Sequence, residues 1–366
     1  MAKTNSQMDG RSLLWTFCLL LVLTSMAIHQ LRYAMYLIPF AALLAVISTQ
    51  KIRVPAPVLP FLAYASAAAL TIPFGGELGF KDFYFVFSGI AISLAFANPI
   101  EFSWIKVLLP VVFTSSIIGA ITLRGWHGLE FDLLDSSSSL ESTGSFVCGL
   151  FAVVALARSR WMIFIVATIA SVLLLKRAAL LGIAVCVPFA LLPERKAKKL
   201  LSSPIMVLVN LVAVAFAVKY AVGDLDAAIT ALTGKSANEV GLGRQLLQSE
   251  AAHSIVGSSH YIFYGNGVGT AYATFLGKFG QGDANMHSDA LKMIYELGLV
   301  FFLTFIWLGY RAKSLEAKML FLYSNLIFYF DNTIIYSFYL FFLLSMQMLD
   351  QDDREPKKGS HAPCSQ

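Results

Sequence analysis

Apolar runs recur from one end of this chain to the other, and that feature limits what it can fold into more than any other. A run of about 20 apolar residues is long enough to cross a bilayer core as a helix. Twelve apolar segments can be read, at 12–28, 34–49, 55–73, 82–98, 103–122, 144–157, 162–175, 178–192, 203–221, 289–309, 318–330 and 333–348. The expectation is an all-α, polytopic integral membrane protein of about 12 transmembrane helices, some short or broken. The pair 162–175 and 178–192 reads either as two short spans or as one broken element. The pair 318–330 and 333–348, split at Asp331-Asn332, carries the same ambiguity. One membrane domain over 1–348 and a disordered cytoplasmic tail over 349–366 complete the expected organisation.

Composition agrees. Hydrophobic residues make up 57% of the 366 positions and charged residues 13%, with a mean hydropathy of +0.70. The net charge of +5 is no sign of nucleic-acid binding, because much of it is topogenic lysine and arginine. The run Leu13 to Ile28 has no small-residue cleavage site, and another span follows at once, so a removable signal peptide is not expected. Cys18, Cys148 and Cys186 lie in apolar runs and Cys364 in the tail, so no disulfide is expected.

Charge predicts sidedness. With the N-terminus in the cytoplasm and strict alternation, the inner segments collect 16 of the 27 basic residues, counted from the sequence. The short inner loops 193–199 and 310–318 are strongly basic, as the positive-inside rule requires. Loop 123–143, with Glu130, Asp132, Asp135 and Glu141, falls outside. So does the long loop 222–288, which in a bacterium is periplasmic. Both termini are cytoplasmic. A loop that long is usually functional or disordered. Within it, residues 244–256 place apolar side chains at helical spacing, which predicts an amphipathic helix on the membrane.

Few ionisable groups interrupt the apolar background, and charges at or in a membrane are functional candidates. The stretch 286–299 puts His287, Asp289, Lys292 and Glu296 where the long loop enters an apolar helix. Ser288 suits the N-cap and Asp289 the first turn. Asp289, Lys292 and Glu296 share one helical face, with Glu296 about 10 Å along the axis from the helix start. Histidine is the side chain most easily poised as a base near neutral pH, so His287 is the candidate base. The plainer reading is a capped helix whose charges pair with each other, with Glu296 bridging helices.

Lys176-Arg177 interrupt the stretch 162–192 at its middle. One charge at a helix centre costs about 2.5–3.5 kcal/mol, and two adjacent ones approach twice that. The chain is therefore expected to break there and bring both cations to the outer surface, where they and the start of the next helix suit an anion such as phosphate. Snorkelling at the interface is the plainer alternative. Arg244 opens the amphipathic segment after Gly241-Leu242-Gly243. His253 and His260 read as surface residues. Gly265-Asn266-Gly267-Val268-Gly269 lies in no strand–helix unit and so is no dinucleotide fingerprint; it reads as a tight turn that lets backbone approach something closely. Asp224-x-Asp226 has a metal-binding spacing but reads better as two acids opening a short helix. No metal site and no cofactor are expected.

Three of these stretches together resemble the bacterial O-antigen ligase/polymerase superfamily, which includes the Wzy-type polysaccharide polymerases and the WaaL-type ligases. Lys176-Arg177-Ala178-Ala179-Leu180-Leu181 is similar to the family's Ser-Arg-x-x-Leu-Leu element, with lysine in place of serine. Gly243-Arg244 followed by the glycine stretch 265–269 is similar to its Gly-Arg…Gly-x-Gly-x-Gly element. His287-Ser288-Asp289-Ala290-Leu291 with Glu296-Leu297-Gly298 is similar to its His-Asn-x-x-Leu…Glu-x-Gly element, with serine in place of asparagine. The resemblance implies a metal-independent glycosyltransferase of GT-C-like architecture in the bacterial inner membrane. Its donor is a glycan on undecaprenyl diphosphate. Its acceptor is another lipid-linked repeat unit in a polymerase, or lipid A-core in a ligase. Residue by residue, it implies His287 as base, Glu296 as orienting the site, Arg177, Arg244 and Lys176 as diphosphate ligands, and Gly265, Gly267, Gly269 and Asp289 as a substrate loop. A chain-length regulator protein is a candidate partner, and nucleic acid is not.

The expected function is polymerisation of lipid-linked oligosaccharide repeats into O-antigen or exopolysaccharide at the periplasmic face, with the ligase as the alternative. A reading of another class is a transporter or flippase of lipid-linked sugar. It predicts an internal repeat and several mid-membrane charges. No repeat is visible, and Lys106 and Glu296 are the few such charges.

Overall fold

The computed structural model describes residues 10–49, 54–95, 102–125, 131–132, 137–241, 243–279 and 286–348. The expected disordered tail, with Cys364, lies outside them. Apart from a two-residue antiparallel ladder, β1 (Phe131–Asp132) with β2 (Ser137–Ser138), the described residues are helices and connections. In chain order the helices are α1 (Gly10–Ala27), α2 (Ile38–Thr49), α3 (Leu59–Ala95), α4 (Ile105–Arg124), α5 (Gly144–Ala157), α6 (Trp161–Leu173), α7 (Arg177–Leu191), α8 (Glu194–Leu200) and α9 (Ser203–Val222). The long loop then supplies α10 (Asp226–Thr233), α11 (Ala237–Val240), α12 (Arg244–Gly257), α13 (His260–Phe263) and α14 (Thr270–Phe279). The described residues close with α15 (Asp289–Leu297), α16 (Leu299–Gly309), α17 (Leu315–Ile327) and α18 (Ser337–Gln347).

Three of these helical stretches are long and apolar enough to cross a membrane by themselves: Ala56–Ala91, Phe102–Arg124 and Ser203–Val222. Seven shorter apolar helices accompany them. The expectation of about twelve spans is therefore met only as a helical chain of membrane type. Two of the twelve segments differ in kind. Segment 34–49 begins inside a 3-10 helix, His29–Leu37. Segment 289–309 breaks at Gly298, whose φ of 92° separates α15 from α16.

The pair 55–73 and 82–98 is one helical stretch with a sharp kink at Gly76, φ 56° and ψ −138°. Tyr64 and Asp82, from either side of the kink, both neighbour Lys292. A straight helix rising 1.5 Å per residue would hold them far apart, so α3 folds back on itself.

The core is carried by α5, α17 and α18, most of whose residues are buried. Ser145 and Ser171 exchange hydrogen bonds between α5 and α6, and Tyr323 of α17 donates to the Phe146 carbonyl of α5 at 2.9 Å. The outward flanks of α7 and α9 are apolar and exposed, as lipid-facing helices are.

Loops assigned to one side by charge meet each other. Arg158 donates to Glu316 at 2.7 Å and Lys318 donates to the Leu201 carbonyl at 2.8 Å, all from segments that charge assigns to the inside or from the apolar segments that adjoin them. At the other end Lys176 pairs with Glu141 at 2.6 Å, and the Asp289 N–H donates to the Asp331 carbonyl at 3.1 Å.

Candidate functional site

The expected break at Lys176-Arg177 is present. α6 ends at Leu173, Leu175 takes a φ of 35°, and α7 begins at Arg177. The Ser142 N–H donates to the Leu174 carbonyl at 3.0 Å, which holds the break against the start of α5. Both cations are thereby brought out of the helix stack.

Beside them lies a cavity of about 820 Å³. α7 packs on α17, and α9 packs on α16 and α12; the cavity is the space between α7 and α9, floored by α17. Its walls are apolar for most of its depth, with Val185, Met206, Leu322 and Leu326 among them. Leu181, Val209 and Phe216 line it and are at the same time exposed at 44%, 48% and 61%. The cavity thus opens sideways through an apolar flank. Its other end is polar and charged: Lys176, Arg177, Arg244, Glu141, Gln248 and Asp331 all line it.

Arg244 is the first residue of α12, after Gly243 in the left-handed region at φ 80°. Its Nη1 donates to the Phe330 carbonyl at 2.7 Å. The predicted helix over 244–256 is present as α12, but its buried face is Gln245, Gln248, Ala251 and Ala252, and Leu246 and Val256 are exposed. It lies against α9 and α15. Gln248 Nε2 donates to the Met286 and His287 carbonyls at 3.3 and 3.4 Å, which ties α12 to the residue before the N-cap.

Ser288 caps α15 as its sequence position predicts, its Oγ accepting from the Leu291 N–H at 3.3 Å. The remaining free N–H groups of this helix end are used by the protein. Asp289 and Ala290 donate to the Asp331 and Phe328 carbonyls, at 3.1 and 2.9 Å. The Asp289 carboxylate accepts from the Ile334 N–H at 2.9 Å and the Thr333 hydroxyl at 3.3 Å. This lacing fixes the connection 328–336 against α15 and sets the Asp331 carboxylate beside His287.

His287 itself has a φ of 50°, a region that histidine tolerates better than most residues. Its Nδ1 lies 3.7 Å from Asp331 Oδ1 and is buried without a hydrogen-bond partner, whereas the side chain as a whole is 32% exposed. The open edge of the ring is therefore the one away from Asp331. Burial alone would raise the Asp331 carboxyl. The His287 imidazole, Lys176 and Arg244 outweigh it and hold the group below the usual carboxylate range. One buried aspartate is thus the common neighbour of the imidazole and of cations from two other elements.

His287 does not line the cavity and adjoins it through Asp331, which does; the other expected site residues lie elsewhere. Glu296 does not line the cavity. Its Oε1 accepts from the N–H groups of Gly269 and Ala271 at 2.9 and 3.2 Å, so it caps the start of α14 from a distance. The glycine stretch packs closely against the chain itself. The Asn266 and Gly267 N–H groups donate to the Tyr295 and Glu296 carbonyls, a Cβ on Gly265 would stand 2.0 Å from the Glu296 carbonyl carbon, and one on Gly269 would stand 2.3 Å from the Gly79 nitrogen. Gly265, Gly267, Gly269, Asp289 and Glu296 thus frame α14 and α15, and none of these residues, expected as a substrate loop and an orienting carboxylate, lines the cavity. Lys292 joins Asp82 in a buried ion pair. His253 and His260 are exposed, and Asp226 accepts from Gln245 at 2.6 Å. Among the described residues no group of three or more His, Cys, Asp or Glu could hold a metal ion.

Two acids at the charged end were not singled out as site residues by sequence reasoning: Asp331 and Glu141. Asp331 sits in a short break between apolar runs, and that break was the only local signal. Glu141 was one of four acids in an outer loop, with nothing to separate it from the rest.

No protein-family model matches the chain, and no curated protein and no solved structure matches it. The fold and cavity define a class at a coarser level: an all-helical protein with membrane-type helices, and an apolar cavity that ends in cations.

Proposed function

We propose that this protein is a metal-independent glycosyltransferase of the bacterial inner membrane that polymerises glycans carried on undecaprenyl diphosphate, working at the periplasmic end of the bundle. The observation that carries the reading is the cavity between α7 and α9. It is apolar along its length, opens sideways through exposed Leu181, Val209 and Phe216, and ends in Lys176, Arg177 and Arg244. A ligand matched to those walls has a long apolar chain and an anionic head, and reaches its site from within the bilayer.

The chemistry follows from the charged end. A hydroxyl of the acceptor repeat attacks the anomeric carbon of the donor. The new C–O bond forms as the bond to the diphosphate oxygen breaks, and the electron pair leaves on the diphosphate. Lys176, Arg177 and Arg244 neutralise that charge, with contacts of about 1.5–3 kcal/mol each for charge-assisted hydrogen bonds. The open edge of His287 takes the hydroxyl proton, with Asp331 behind Nδ1 stabilising the imidazolium as it forms. His287, Lys176, Arg177 and Arg244 keep the roles that the family resemblance implies for them, whereas Glu296, Asp289 and the glycine stretch serve the frame and Asp331 joins the site.

The test is complementation of a polymerase-deficient host, read on a gel of its surface polysaccharide. Wild type should restore long chains, and His287→Ala, Arg177→Ala and Arg244→Ala should each abolish them while the protein still inserts. Normal chain length in all three variants would end this mechanism. Loss of all capped core, in place of single-repeat core, would indicate the ligase.

A further inference from the structure

The Glu141 carboxylate occupies the place an anion would take. It lines the cavity beside Lys176, Arg177 and Arg244. Oε1 accepts from Lys176 Nζ at 2.6 Å, and Oε2 accepts from Arg124 Nη2 at 3.2 Å. The next residue is pinned to the same corner, since the Ser142 N–H donates to the carbonyl of Leu174 in the break that carries Lys176. Glu141 is thus a carboxylate tethered by its backbone next to a cation of the site. The side chains of Lys176 and Glu141 are only 17% and 23% exposed, whereas Arg124 is 43% exposed.

A lysine ammonium carries one charge, and a carboxylate resting on it opposes any second anion. Breaking a buried pair is costly when one partner is left bare. Here the carboxylate is not left bare. If Lys176 turns to an incoming diphosphate, Glu141 keeps Arg124 at the better-solvated edge. The exchange costs one contact and leaves no orphaned charge.

We propose that Glu141 is a built-in competitor for the lipid diphosphate. It neutralises Lys176 while the cavity is empty, yields by leaning onto Arg124 when the diphosphate arrives, and returns to help expel the diphosphate product. This inference rests on the lipid-diphosphate reading above. It makes Glu141 a determinant of affinity and release that acts through Lys176.

The test is binding of farnesyl diphosphate to the purified full-length protein in detergent, with farnesol and inorganic diphosphate as controls. E141Q keeps the shape and removes the charge. It should bind farnesyl diphosphate about three- to tenfold more tightly than wild type, the range expected for one partly exposed charge contact. Lys176→Met should bind more weakly, with Lys176→Gln as a second neutral form should the first fail to fold. In either Lys176 variant the added E141Q change should alter affinity by less than about twofold, because its effect runs through the missing lysine. Unchanged or weaker binding in E141Q overturns the inference, and so does an equal gain with and without Lys176. If neither wild type nor E141Q prefers farnesyl diphosphate to farnesol, the lipid-diphosphate reading fails and takes this inference with it.

Discussion

The His287 ring and the Asp331 carboxylate stand 3.7 Å apart, Nδ1 to Oδ1, although three helices, α15, α16 and α17, separate them along the chain. The lacing between α15 and the connection 328–336 holds them there. An imidazole backed by a carboxylate is oriented, and its protonated form is stabilised. Asp331→Asn should keep the fold, because the backbone bonds from Asp289 and Ala290 remain, yet lower glycan transfer at least about tenfold, within the range that general-base catalysis contributes. Turnover by the purified variant, set against its melting temperature, checks this. Loss of both together would make Asp331 structural.

Asp331 also predicts an acid response. Its carboxyl is held below its ordinary value, so its charge contributes stability that is fully present above the unfolded carboxyl pKa and is lost as pH falls through the lowered folded value. Below about pH 4 the wild-type melting temperature should therefore fall more steeply than that of Asp331→Asn. Parallel melting curves of the two proteins against pH would contradict the assignment.

Arg244 donates to the Phe330 carbonyl while facing the cavity. Arginine can serve two acceptors in a fixed fork, whereas lysine presents one compact charge. Arg244→Lys should therefore fail to restore long polysaccharide, although net charge is unchanged. Full-length chains from this variant would show that charge alone suffices there.

The glycine frame makes a stability prediction. A Cβ at Gly265 meets the Glu296 backbone at 2.0 Å, whereas at Gly257 nothing lies within 4 Å. Gly265→Ala should cost about 2–3 kcal/mol or prevent folding, the range of overpacking, and Gly257→Ala should stay near neutral. Thermal melts in detergent decide between them.

The buried Lys292–Asp82 pair joins α15 to the second half of α3. Removing one partner leaves a buried charge, at a cost of about 3–5 kcal/mol. Asp82→Asn or Lys292→Met alone should therefore destabilise more than the two together. A double variant less stable than both single ones would contradict that.

Parts of this arrangement were legible in the sequence because the physics was local. Two adjacent cations cannot stay at the centre of an apolar helix, so the break at Lys176-Arg177 could be read. Ser288 ahead of an acidic first turn announced the start of α15. What could not be read depended on distant partners. Gly298 sits in an apolar run that reads as continuous, and only the left-handed backbone packed against residues 263–264 splits it. The glycine stretch signals close approach but does not say to what, and the partners prove to be Glu296 and Gly79. Glu296 looked chemical because a buried carboxylate needs a reason, and the start of α14 supplies partners for its Oε1. Asp331 and Glu141 became visible only once the loops at one end of the bundle had come together.

The most direct test is elongation of lipid-linked repeat units by the purified protein in detergent, where no compartments exist and transport is meaningless. Wild type should convert single repeats into a ladder of longer lipid-linked chains, and His287→Ala and Arg177→Ala should leave the single repeats unchanged. A ladder of wild-type length from both variants would contradict the account.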